Sequence, residues 1–144
     1  AIAFEVLEHL ADDVAGLRAA YDVLAPDGQL VLTVPNKWWV FETHGARLPV
    51  LPWHRVPFFS WLPTPLHERW SRARTYTKGR VLRAVASAGF KIGHSCYVTA
   101  PMDRVRWRAL RAALRRSVFR RDTTRVPLLA TAIMVWAKKD TGTR

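Results

Sequence analysis

Glu5, Glu8 and His9 bring two carboxylates and an imidazole into five residues. Two chemistries are open to such a set. Carboxylate oxygens suit a hard divalent ion such as Mg²⁺ or Mn²⁺, and an imidazole shifts the choice toward Mn²⁺ or Zn²⁺. Without a metal, Glu5, Glu8 or His9 can serve as a general base, provided it lies within about 3 Å of an acceptor hydroxyl. His44, His54 and His67 follow downstream and can each complete a ligand set, although none stands at a diagnostic spacing. A purely structural role is the alternative, in which Glu8 and His9 end a strand and Glu8 favours the positive end of the next helix.

The elements that must position these residues form one βαβ unit over 1–36. Ala1-Ile2-Ala3-Phe4 is a short apolar run without alternation, the pattern of a strand buried on both faces. Asp12 or Asp13 can cap a helix whose apolar residues Val14, Leu17, Tyr21 and Leu24 fall on one stripe. Ala25-Pro26-Asp27-Gly28 is a turn, and Leu30 to Val34 a second, β-branched strand. Short joints between strand, helix and strand imply a parallel pair with a right-handed crossover. Both strands then end at one sheet edge, where open α/β sheets bind ligands. Glu5, Glu8 and His9 therefore share a crevice with Pro35 and Asn36, which either border a substrate or simply turn the chain.

Four pieces of this stretch, in order, resemble the second half of a class I S-adenosylmethionine-dependent methyltransferase: Phe4-Glu5-Val6-Leu7-Glu8-His9-Leu10, Leu24 to Leu30, Thr33-Val34-Pro35-Asn36, and the later Tyr76-Thr77, Val81-Leu82 and Ala88-Gly89-Phe90. The resemblance covers residues 1 to 100 closely and the rest by topology. It implies a partial Rossmann-like α/β sheet, the last four strands of seven, with flanking helices. The final strand would run antiparallel between the Val34 and Phe90 strands, leaving the Ala1 strand as an edge. Residues 1–138 would be the C-terminal part of one domain and 139–144 a frayed tail. The family's Gly-rich cofactor loop is not found among the seven glycines and is expected about 40 to 70 residues upstream, from the size of two βα units. Without it, the 144 residues alone are expected to bind S-adenosylmethionine weakly and to be inactive.

The resemblance also implies that Phe4 and Glu5 line the methionine end of S-adenosylmethionine. The E-x-x-E-H pattern itself resembles O-methyltransferases of quinone biosynthesis and of small RNA, in which a metal grips neighbouring oxygens. Glu5, Glu8 and His9 would then be ligands and Glu8 and His9 the catalytic pair, with Pro35, Asn36, His44 and His54 toward a small-molecule, lipid-linked or sugar hydroxyl.

Residues 37–75 depart from simple strand–helix alternation. Pro49, Pro52, Pro57, Pro63 and Pro65 forbid a long helix, while Trp38, Trp39, Trp53, Phe58, Phe59 and Trp61 are too apolar for a solvated loop. A lid over the ligand edge accounts for both, a membrane-surface patch being the alternative. A short helix over 66–73, a helix over 78–88 capped by Thr77, a strand over 90–99, a long helix over 102–121 with Val105, Leu110, Leu114 and Phe119 toward the sheet, and a strand over 129–137 complete the expectation.

The net charge of +12 is uneven, because residues 1–36 hold six acidic side chains and only Arg18 as a base. The basic remainder suits anionic partners: nucleic acid, phosphorylated substrates or membrane headgroups. A non-catalytic basic module is thus the rival function, although no specific nucleic-acid motif is present. Eighteen of 23 basic residues are Arg, which compositional bias alone would also produce. A single cysteine, Cys96, excludes an internal disulfide and reads as a buried thiol. No apolar run is long enough for a transmembrane helix, and a cytoplasmic protein, free or peripheral at a membrane, is expected.

Overall fold

The computed structural model describes residues 1–42, 44–46, 56–102 and 105–140. Five strands form one sheet: β1 (Ile2–Phe4), β2 (Gln29–Pro35), β3 (Phe90–Thr99), β4 (Thr123–Thr124) and β5 (Ala130–Lys139), in the order β1-β2-β5-β3-β4. β1 pairs parallel with β2, and β5 inserts antiparallel between β2 and β3, as the resemblance implies. The short β4 adds a fifth strand to the expected four.

The first crossover is α1 (Asp13–Val23). Its cap is Asp12, whose side chain accepts from the Ala15 N–H at 2.9 Å. α3 (Lys78–Ser87) is capped by Thr77 and stopped at Gly89, whose φ of +98° suits glycine. α1 and α3 cover the same sheet face: Leu17, Val81 and Val85 pack with Leu30, Leu32, Val34, Ile133 and Val135 in one core.

Among the described residues the opposite sheet face carries no buried layer of this kind, which corrects two expectations. β1 is not buried on both sides, for Ile2 is 72% and Phe4 52% exposed while Ala3 packs against the core. The Arg-rich segment is no long sheet-packed helix either. α4 spans only Arg108–Arg116 and buries none of its residues. Its apolar side chains are too few and too interrupted by arginines to seat it.

In the described parts of the insert between β2 and α3, aromatic side chains meet one another. Phe41 bridges Pro57, a 3₁₀ turn forms at Phe59–Trp61, and α2 spans Thr64–Trp70. Trp61 meets Trp38 and Phe58 edge-on, at centroid distances of 6.2 and 4.8 Å. Lys139, expected in a frayed tail, extends β5 and donates to the Tyr21 and Leu24 carbonyls.

Candidate active site

β1 ends at a sharp corner. Glu5 adopts a left-handed φ of +53°, and Leu7–His9 close a single 3₁₀ turn before α1 begins. A non-glycine residue in that region costs about 1–2 kcal/mol, so the corner must be held from outside. Leu7 turns into the core while Val6 stays 47% exposed. Arg74 pins the turn, its backbone N–H donating to the Glu8 carbonyl at 3.1 Å and its guanidinium to that of Ala11 at 2.6 Å. Tyr76 locks the other side. Its backbone pairs with Pro35 and Lys37, and its fully buried phenol donates to Asp13 at 3.1 Å. Burial, reinforced by Asp13, pushes that phenol well above the usual tyrosine range.

The corner aims Glu8 inward. Its side chain is fully buried, and neither carboxylate oxygen has a hydrogen-bond partner among the described residues. Two imidazoles stand beside it, His44 Nε2 at 3.6 Å and His9 Nε2 at 4.0 Å from Oε1. The two rings meet edge to face at 5.4 Å. Burial raises the Glu8 carboxyl above its ordinary range, and the residue's own nearby backbone N–H and the two histidines only partly oppose this. One donor atom from each of Glu8, His9 and His44 lies within 4.8 Å of the others, close enough to share an ion. A cavity of about 300 Å³ opens on Glu8 and His9, bounded by Glu68, Arg72 and Arg74.

Of the sequence-derived candidates, Glu8, His9 and His44 thus converge, and Glu5 is not part of the group. Glu5 instead borders a separate cavity of about 450 Å³ with Thr33, Thr99, Phe119 and Met134. Phe4 ends β1 half-exposed. Asn36 is buried and its amide is engaged, Nδ2 donating to the Pro127 and Ala130 carbonyls at 2.7 and 2.8 Å and Oδ1 accepting from the Trp38 N–H. With Pro35 it closes the strand end. His67 is not at the cluster but wholly buried against Glu42 at 2.8 Å. His54 lies outside the described residues.

Glu42 is the positioning residue that the sequence did not reveal. One of its oxygens meets His67 and the other accepts the His44 N–H at 3.1 Å, setting where His44 enters the cluster. A lone Glu in an aromatic loop gives no sign of this, because its partners are 2 and 25 residues away.

Neither a family model nor a curated protein matches the sequence. Solved structures do resemble the fold. An S-adenosylmethionine-dependent methyltransferase from Mesorhizobium loti superposes with a TM-score of 0.54 at 15% identity, over 95% of this chain and 60% of that one. A Listeria monocytogenes protein described in the same terms gives 0.52 at 12% identity, over 96% and 60%. The [4+2]-cyclase SpnF gives 0.50 at 16%, over 98% and 49%. This chain therefore spans about 60% of the length of the first two and half of the third. The strand order, the antiparallel β5 and these superpositions agree: the fold is that of the class I S-adenosylmethionine-dependent methyltransferases.

Proposed function

We propose that this chain forms the acceptor side of an S-adenosylmethionine-dependent O-methyltransferase acting on a small-molecule, lipid-linked or sugar hydroxyl. The observation that carries the reading is a buried carboxylate without hydrogen bonds, set beside two imidazoles at the ligand edge of a methyltransferase fold. The cyclase neighbour shows that this fold serves more than one chemistry, so the argument rests on the site. When bound, S-adenosylmethionine supplies a methyl group on an already electrophilic sulfonium. The protein's share is to align the acceptor oxygen and take its proton. His9 is half-exposed and can reach a hydroxyl entering from the edge. With the acceptor oxygen aligned, its hydroxyl proton would pass to the His9 imidazole. Glu8 stabilises the resulting imidazolium. Phe4 and Glu5 would flank the methionine end of the cofactor.

The bare oxygens of Glu8 favour a second reading, in which Glu8, His9 and His44 hold a divalent ion. One carboxylate and two imidazoles suit Mn²⁺ or Zn²⁺ better than Mg²⁺. Such an ion would lower the pKa of the hydroxyl to be methylated. Activity and thermal melts separate the two readings. With a metal, chelator abolishes activity and Mn²⁺ raises the midpoint of the wild type but not of His44→Ala. With a general base, chelator changes nothing while His9→Ala loses on the order of 10²- to 10⁴-fold in rate. Full activity in both Glu8→Ala and His9→Ala would sink either version.

A further inference from the structure

Residues 105–125 hold eight arginines and one acidic residue, Asp122. Trp107 stands at the N-cap position of α4, Leu110 and Leu114 share one side of the helix, and Val118 follows its C-terminus. Leu114 is partly covered, but Trp107 is 76% and Leu110 45% exposed, and Val118 beyond the helix is 52% exposed. Arg108, Arg115, Arg116, Arg120, Arg121 and Arg125 are exposed around it. Beside α4 lies a groove of about 960 Å³ at the β3 edge, lined by Lys78, Arg116, Arg120, Arg121 and Arg125 together with hydroxyl side chains and no carboxylate. Among the described residues, no acidic side chain pairs with those four arginines.

We propose that α4 and this groove form a docking surface for a bilayer rich in anionic phospholipid. Nine residues are too few for a helix to hold itself in water, and α4 buries nothing in this fold. A short helix with an apolar side, an arginine-rich surround and a tryptophan at its end has the composition of one lying in the lipid interface. Nucleic acid would engage the arginines and stack on Trp107 but leave the aliphatic Leu110 and Val118 without a role. A bilayer takes up both, the apolar side entering the headgroup boundary and the groove receiving lipid phosphates. No described helix is long and apolar enough to cross a membrane, so the contact is peripheral. The placement fits as well. β3 runs parallel to β2 through their shared antiparallel partner, so α4 and the aromatic insert leave the sheet at the same edge. Docking there would turn the Glu8 edge toward lipid. The proposal uses no residue of the Glu8 cluster and stands or falls apart from the methylation reading.

Co-sedimentation with vesicles at low salt tests it. The protein should partition onto phosphatidylglycerol-containing vesicles, stay in solution with pure phosphatidylcholine, and be released by about 0.5 M salt. Trp107→Ser combined with Leu110→Ser should lower partitioning about tenfold, as should Arg120→Glu combined with Arg121→Glu beyond the helix. Both pairs are exposed, so unchanged melting midpoints would show that the fold persists. Single-stranded oligonucleotide serves as the competing probe. Failure to bind anionic vesicles overturns the proposal. So does binding to vesicles and oligonucleotide alike that ignores Trp107 and Leu110, which would mark a general polyanion site.

Discussion

Glu8 occupies an environment that no isolated carboxylate favours, fully buried and without a hydrogen bond. A buried group left unpartnered costs about 1–3 kcal/mol, and more when charged. Glu8→Leu, which removes the buried polar group at similar volume, should therefore raise stability at pH 7 in chelator by about that amount, read from denaturant midpoints, while harming function. A loss of stability would mean that the carboxylate is already satisfied in the resting protein. Glu8 and His9 were legible because they adjoin in the sequence at a strand end. Cys96, read from the sequence as a buried thiol, is only partly buried at the arginine-lined groove, and its reactivity reports how far. Desolvation raises its thiol above the ordinary value of 9.0 and nearby Lys78 only partly offsets this. Alkylation by iodoacetamide should therefore stay slow at pH 7 and rise only in the alkaline range beyond pH 9, the side on which the thiolate forms. Rapid labelling at neutral pH would show the thiol to be exposed and unshifted.

At the scale of elements, the sequence was read best where local pattern and tertiary packing agree. Asp12 and Thr77 cap their helices as their residue types suggest, and Gly89 stops α3. It was misread where pattern had no partner. The apolar residues of 102–121 predict a long helix against the sheet, yet the arginines interrupting them leave a nine-residue helix that buries nothing. The insert was read as a lid from its aromatics alone, and its polar anchor stayed hidden. Buried Glu42 and His67 meet at 2.8 Å while Glu42 also holds the His44 backbone. Removing one partner of a buried pair costs about 3–5 kcal/mol. Glu42→Ala should lower unfolding stability by that much and, in whatever folded protein remains, displace His44 and cut activity. A near-neutral Glu42→Ala would show that the insert is positioned by its aromatics without this pair.

Among the described residues the sheet is open and its buried core lies on one face. Its topology was legible because βαβ handedness and the resemblance to methyltransferases leave few alternatives, and β5 falls between β2 and β3 as expected. The uncovered face was not legible, because a short apolar strand such as β1 reads the same whether one side or both are buried. The exposed Ile2 and Phe4 on that edge strand and the arginines around α4 are consequences of arrangement, invisible in composition. The central claim, that this arrangement transfers a methyl group to a hydroxyl, is tested most directly by label transfer. The product of the complete open reading frame encoding this chain would be incubated with S-adenosyl-[methyl-¹⁴C]methionine and a total extract of its own cells. The account predicts label in methyl ethers, reduced on the order of 100-fold or more by Glu8→Ala. Absence of transfer by the wild type, or undiminished transfer by Glu8→Ala, would contradict it.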